Sequence, residues 1–161
     1  YKEIGFSKTD IALYSKGVGW ITTIAFTLIG GVFTIKAGIF KALVLSGIAM
    51  AATNLFFSIM AWVERSELLF VFAVLIDDLA TAFATVTFVA FISILIDRNY
   101  TATQYALLAS VGTAGRTLLA SSSGAMVDWL NGDWALFFIL TTMMVIPSLI
   151  LLFLIKNRLP V

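Results

Sequence analysis

Five long apolar stretches, separated by short polar connections, constrain this chain more than any other feature. An α-helix crosses the roughly 30 Å hydrocarbon core of a bilayer with about 20 apolar residues, because each residue adds about 1.5 Å. None of the stretches shows the alternation of polar and apolar residues that is typical of a membrane β-strand. We therefore predict an all-α integral membrane protein, a helical bundle with transmembrane spans at about residues 11–35, 42–63, 68–96, 105–127 and 134–155.

The composition agrees with a membrane protein and excludes several other classes. Of the 161 residues, 61% are hydrophobic and 12% are charged, whereas a soluble domain is about 25% charged. The net charge of +1 offers no basic surface for a nucleic-acid backbone, so we predict no nucleic-acid partner. The chain has neither His nor Cys, which excludes thiol nucleophiles, His-ligated zinc and Ser–His catalysis within it. We expect no enzymatic activity, no metal and no cofactor.

The number of spans is unusual for a complete transporter. Secondary transporters are often built from six-helix halves around a site near the membrane midplane. A half that lacked its first helix would have the five spans that this sequence predicts. The chain also begins with Tyr1 and a polar segment, without a visible signal peptide. We therefore interpret residues 1–161 as one transmembrane bundle belonging to a longer protein.

Basic residues in the connections predict the orientation, since Lys and Arg are more frequent on the cytoplasmic side. One side of the predicted bundle has five basic residues and the other has three. The larger group comprises Lys36, Lys41, Arg98, Lys156 and Arg158, and the smaller group comprises Lys2, Lys8 and Arg65. This difference places the N-terminus of the chain outside and its C-terminus in the cytoplasm.

Four charged residues lie within the predicted spans, namely Lys16, Asp77, Asp78 and Arg116. A charge at the bilayer centre costs at least about 2.5–3.5 kcal/mol, so such residues usually face a bundle interior and pair with one another. Depths calculated from the helical rise allow Asp77 or Asp78 to pair with Arg116, and place Lys16 nearer the outer face. We predict an interhelical charge network that either locks the bundle or forms a path for protons and substrate.

Two further features of the spans are open to a structural and a functional interpretation. Trp20 lies within the first span, where it either packs against other helices or offers a stacking surface for a sugar ring or acyl group. Small residues in the first and fourth spans predict close helix approach. These are Gly17, Gly19, Gly30, Gly31, Ser110, Gly112, Ala114, Gly115 and Gly124.

The connection between the first two spans carries a recognisable pattern. From Gly31 to Lys41 it resembles the short cytoplasmic loop signature of the major facilitator superfamily, in which a glycine, a basic residue and a second glycine join two helices. Gly31, Lys36, Gly38 and Lys41 match the pattern. Ile35 stands where the signature has Asp, so a charge-based latch is not expected at this loop.

Other segments resemble the C-terminal half of AmpG-type muropeptide permeases, a branch of the same superfamily. The resemblance covers nearly the whole chain and begins before the eighth of twelve helices. It rests on residues 5–11, 88–91 and 100–108, on Gly115-Arg116, and on Gly124 with the segment that leads to Trp134. Where relatives often have a Gly-Pro pair, this chain has serines at positions 121–123.

The resemblance implies a partial six-helix C-terminal half and proton-coupled import of anhydro-muropeptides across the bacterial inner membrane. The implied partners are the lipid bilayer, the solute, protons and the N-terminal half of the same transporter. The resemblance supports Asp77 and Arg116 as functional residues. The candidate substrate and proton pathway comprises Lys16, Trp20, Asp77, Asp78 and Arg116. A carrier of another organic anion or CoA ester and a non-transporting membrane subunit are the alternatives.

Overall fold

The structure is a computed structural model that describes Ser7, Thr9, Ala12 and residues 19–63, 66–96 and 101–158, apart from the side chains of Thr101 and Arg158. It contains α1 (Gly19–Ala37), α2 (Ile39–Trp62), α3 (Glu67–Leu95), α4 (Thr101–Ser121), α5 (Ser123–Trp129), α6 (Trp134–Ile155) and a final 3₁₀ turn (Lys156–Arg158). No strand occurs in the described ranges. The predicted all-α fold is therefore confirmed.

Four of these helices, α1, α2, α3 and α6, are long and apolar enough to cross a membrane. The prediction of a multi-pass membrane protein is thereby supported. The fourth predicted span, residues 105–127, differs from the prediction because it is divided into α4 and α5, and neither is among the four candidate spans in the described part of the chain.

A cluster of serines explains the division between α4 and α5. Each hydroxyl of Ser121, Ser122 and Ser123 donates a hydrogen bond to the carbonyl three residues earlier, at 2.7–2.8 Å. Side-chain hydrogen bonds of this kind compete with the helical backbone and often bend helices. Three in succession coincide with the one-residue interruption at Ser122.

The long helices pack in the order α1, α3, α2, α6, whereas α4 and α5 contact their neighbours at few positions. Residue numbers rise in the same direction along α1 and α3, since Gly30 contacts Phe83 and Thr34, one turn later, contacts Thr87. The two helices are therefore parallel. Along α2 and α6 the contacts run in opposite directions, from Gly47 against Leu149 to the hydrogen bond between the Ser58 hydroxyl and the Ala135 carbonyl. This alternation is the one expected of a chain that crosses a membrane repeatedly.

A small apolar core lies where α2 turns into α3. Met60, Phe70, Ala73 and Val74 are buried there. Ser66 begins α3 by accepting a hydrogen bond from the Leu69 amide at 3.4 Å. Many other large apolar side chains are exposed, which is the arrangement expected when the outer faces of helices contact lipid rather than water.

Candidate functional site

Helices α1 and α3 approach each other closely at Gly30. A Cβ atom built on Gly30 would lie 3.0 Å from Phe83 Cδ2 and 3.3 Å from the Phe83 Cα. Because the second of these atoms is backbone, a larger residue at position 30 requires the helices to separate. Gly31 lies beside Val86, where a Cβ would be 3.7 Å from Val86 Cγ1. The predicted role of these glycines in close helix approach is confirmed.

A buried hydroxyl pair lies one turn beyond this crossing. Thr34 Oγ1 donates to the Gly30 carbonyl at 2.8 Å and lies 3.2 Å from Thr87 Oγ1. Since a hydroxyl has one proton and that of Thr34 is directed to Gly30, Thr87 is the donor to Thr34. Thr87 is completely buried. This chain of hydrogen bonds fixes the register of α1 against α3.

A carboxylate joins the same two helices near the first described residues of α1. Thr22 Oγ1 lies 3.1 Å from Asp78 Oδ2 and 3.0 Å from the Gly19 carbonyl oxygen. Gly19 itself is buried, and a Cβ there would lie 3.2 Å from Asp78 Oδ2. The absence of a side chain at Gly19 therefore lets the carboxylate reach α1.

The number of hydrogen-bond donors and acceptors at this contact bears on whether Asp78 can carry a proton there. The Thr22 hydroxyl has one proton and lies within reach of two oxygen acceptors, the Gly19 carbonyl and the Asp78 carboxylate. With an ionised Asp78, the two acceptors compete for that proton. With a protonated Asp78, the carboxyl can donate to Thr22 while Thr22 donates to Gly19. The arrangement can thus accommodate a proton on Asp78 without moving a side chain.

The other predicted pathway residues are less closely connected. Asp77 is half-buried, and no hydrogen bond or ion pair joins it to another described residue. Trp20 is 77% exposed, so it does not pack into the described bundle. Lys16 lies outside the described residues. The functional roles predicted for these three residues stay predictions.

Arg116 is not brought to the aspartates. It is exposed on α4, and among the residues that the structure describes no ion pair links it to Asp77 or Asp78. A Cβ at Gly112 would lie 2.8 Å from Phe88 Cζ, which marks where α4 meets α3. Asp77 is about 16 Å along α3 from Phe88 and Arg116 is about 6 Å along α4 from Gly112, so an offset of at least about 10 Å remains. Among the described residues, the predicted pairing of Arg116 with Asp77 or Asp78 is therefore not formed, and the part of the predicted network that involves Lys16 lies outside them.

The loop pattern between the first two spans has a clear backbone basis. Gly38 joins α1 to α2 alone, with φ of 87°, a conformation that L side chains rarely adopt. Its amide donates to the Thr34 carbonyl at 3.1 Å and its carbonyl accepts from the Ala42 amide at 3.1 Å. The second glycine of the pattern therefore closes one helix and opens the next. Lys36 and Lys41 are exposed on either side of it.

Sequence reasoning missed the three threonines that connect α1 to α3, namely Thr22, Thr34 and Thr87. Threonine is close to neutral in hydropathy, so it neither interrupts an apolar span nor attracts attention as a charge does. A signal was nevertheless available. Thr34 follows Gly30 by four residues and so lies on the same helix face, the one predicted to approach a neighbour.

Comparison with known proteins gives similarities that cover almost the whole chain. Over 161 residues the chain is 30% identical to a putative transporter AmpG 4 of Rickettsia conorii, covering 98% of this chain and 38% of the relative. Over 155 residues it is 31% identical to a putative transporter AmpG 1 of Rickettsia prowazekii, covering 96% and 34%. Over 156 residues it is 28% identical to an anhydromuropeptide permease of Escherichia coli K12, covering 97% and 31%.

The share of each relative's length that the chain matches is as informative as the percentage of identical residues. The chain spans only 31–38% of the length of these curated relatives. No protein-family model matches the chain, and no solved structure matches it. The resemblance predicted from the sequence is confirmed: nearly all of this chain is similar to about a third of an AmpG-type transporter.

Proposed function

We propose that this chain is part of a secondary transporter that imports anhydro-muropeptides across the bacterial inner membrane, with protons as the coupling ion. The observation that carries the proposal is the similarity of 97% of the chain to an anhydromuropeptide permease. The names of the similar proteins describe transporters and permeases, in agreement with the prediction that the chain is not an enzyme. The four apolar helices provide the membrane-embedded framework that such a transporter needs.

Proton coupling requires a group that gains and loses a proton during the transport cycle. Asp78 is our candidate, because its contact with Thr22 and Gly19 accommodates a proton by reorienting hydroxyl hydrogens alone. Asp77, the next residue, provides a second carboxylate on the same helix. Because Asp78 contacts α1 through Thr22, a change in its protonation alters a contact between two helices.

Solute binding is assigned to three residues around this carboxylate pair. Arg116 and Lys16 supply positive charge for an anionic solute, and Trp20 supplies a flat apolar surface for a sugar ring. The exposure of Trp20 and Arg116 leaves both side chains available to a solute or to another part of the transporter. The N-terminal half of the transporter would complete the cavity, with the N-terminus of this chain outside and its C-terminus in the cytoplasm.

Uptake of labelled anhydro-muropeptide by proteoliposomes containing the full-length protein tests the proposal. We expect uptake to accelerate when an inward proton gradient is imposed. Asp78→Asn keeps the size of the side chain and mimics the protonated carboxyl, so solute exchange should persist while acceleration by the gradient is lost. Thr117→Val, which removes a hydroxyl that donates to the Thr113 carbonyl of α4, should transport normally and serves as the control.

The outcomes separate the alternatives. Equal acceleration by the gradient in wild type and in Asp78→Asn would contradict the role of Asp78. Uptake of an organic anion or a CoA ester in place of the muropeptide would assign the chain to another carrier. No uptake of any of these solutes by folded protein would favour a non-transporting membrane subunit.

A further inference from the structure

One end of the bundle is distinctly basic. Lys36 lies in the last turn of α1, Lys41 in the first turn of α2, and Lys156 directly after α6. All three side chains are exposed, and we call this group the basic end. The three lysines come from helices whose ends meet, since Gly38 alone joins α1 to α2 and α6 packs along α2.

Lys156 is held at a defined position within the basic end. Its Nζ lies 5.1 Å from the centroid of the Phe40 ring, within the range of a cation–π interaction. Phe40 in turn packs edge-on against Phe153, with ring centroids 5.5 Å apart and planes at 80°. Because Phe40 directly precedes Lys41, the ammonium group supplied by α6 lies over the first turn of α2. The aromatic ring orients Lys156 without using its N–H groups on an acceptor.

No acidic side chain on these helices offsets the charge. The sequence has no Asp or Glu in α1, α2, α6 or the final 3₁₀ turn. Among the described residues, none of the three lysines is ion-paired. Asp97 and Arg98, which follow α3 in the sequence and lie outside the described residues, have formal charges that cancel. The basic end therefore has a positive charge that requires anions from elsewhere.

The surroundings indicate which anion is suitable. Ile35 directly precedes Lys36, and Phe153 and Leu154 precede Lys156 by three and two residues. These apolar side chains are 84%, 55% and 71% exposed. A phosphate group near the lysines would thus stand beside an open apolar surface. A phospholipid supplies both parts, an anionic headgroup for the ammonium groups and acyl chains for the apolar surface. We propose that the basic end binds the headgroup of an anionic phospholipid, independently of the transported solute.

Binding can be measured by titrating short-chain phosphatidylglycerol into the full-length protein in a zwitterionic detergent and following Tm. Phosphatidylcholine with the same acyl chains removes the net charge, and glycerol phosphate removes the acyl chains. We expect phosphatidylglycerol to raise Tm at concentrations at which the other two have no effect. Lys41→Gln and Lys156→Gln should each weaken the apparent affinity about fivefold, the usual contribution of one basic residue at an anionic membrane surface.

Two control variants sharpen the result. Lys156→Arg keeps the charge and the contact with Phe40, so it should bind as the wild type does. Thr117→Val, whose hydroxyl donates to the Thr113 carbonyl of α4, changes no charge and should leave the affinity for phosphatidylglycerol unchanged. If the glutamine variants fail to fold, the lipid extracted with the wild-type protein gives the answer, because phosphatidylglycerol should be enriched over its share in the membrane.

Three results would overturn the proposal. Equal stabilisation by phosphatidylglycerol and phosphatidylcholine would show that headgroup charge is not recognised. Equal stabilisation by glycerol phosphate would identify a site for a soluble phosphate rather than a lipid. Unchanged affinity in both glutamine variants, or no enrichment of phosphatidylglycerol in the extracted lipid, would show that these lysines do not bind the headgroup.

Discussion

Helices α1 and α4 both contain several small residues, yet they pack very differently. In α1, Gly30 approaches the Phe83 backbone and Thr34 is buried against Thr87. In α4, none of the described side chains is buried, and a Cβ on Gly115 would have nothing within 4 Å. The two helices offered the same sequence signal for close approach, and only α1 makes extensive contact with another helix.

The difference shows that small residues permit helix contact without causing it. Within a bilayer no hydrophobic force drives helices together, because lipid is as apolar as the side chains that it would replace. Association depends on complementary packing and on hydrogen bonds between helices. Gly30 against Phe83 provides the complementary packing, and Thr87 donating to Thr34 provides the hydrogen bond between helices. Among the described glycines of α4, the comparable position is Gly112 against the ring of Phe88.

The largest expected effect comes from filling the space at Gly30. Gly30→Leu forces α1 away from the Phe83 backbone, which should destabilise the protein by about 1–3 kcal/mol, the usual range for overpacking. Gly115→Leu is the matched change in α4, and it should not destabilise the protein because its Cβ meets no neighbour and leucine favours the helix more than glycine does. Unfolding by SDS in mixed micelles measures both. Equal losses in the two variants would show that α4 is packed as closely as α1.

A smaller effect is expected from the buried hydroxyl pair. Thr87→Val keeps the shape of the side chain and removes the donor to Thr34, which should cost about 0.6 kcal/mol and at most about 1.7 kcal/mol. Thr34 retains its own hydrogen bond to the Gly30 carbonyl, so no buried proton is left without an acceptor. Thr117→Val removes an exposed hydroxyl that donates to the Thr113 carbonyl of α4, and it should be nearly neutral.

The same unfolding assay decides this second comparison. A Thr87→Val variant as stable as Thr117→Val would mean that the interhelical hydrogen bond contributes nothing beyond the packing at Gly30. A double variant, Thr34→Val with Thr87→Val, then isolates the coupling between the two hydroxyl groups, because each single change removes the same contact.

The parts of the structure that the sequence could predict are those set by properties of single segments. The apolar runs predicted the helices, and the second glycine of the loop pattern predicted the turn at Gly38, where φ is positive. Contacts between segments were harder to predict. Pairing Arg116 with Asp77 rested on depth along the membrane, which says nothing about which helices are neighbours or how α4 is shifted against α3. The interruption at Ser122 depends on hydroxyl groups that bond to nearby carbonyls, an effect that hydropathy does not register.

The smallest expected effect concerns the contact of α4 with α3 at Gly112, and its sign is informative. Gly112→Ala gains about 0.8–1.0 kcal/mol of helix propensity, but its Cβ would lie 2.8 Å from Phe88 Cζ. Because that atom is the far end of a ring that is 43% exposed, Phe88 can rotate away at little cost. The variant should therefore stay within about 0.5 kcal/mol of the wild type.

Gly115→Ala meets no neighbour and should show the full gain in helix propensity, so it should be more stable than Gly112→Ala in the same unfolding assay. Adding Phe88→Leu to Gly112→Ala removes the contact and should restore the missing stability. If Gly112→Ala is instead as destabilising as Gly30→Ala, where the obstacle at 3.3 Å is the Phe83 backbone, then α4 is held against α3 over more of its length than this one contact. Helices α1 and α4 would then differ in which residues contact α3, and not in how strongly each helix is held against α3.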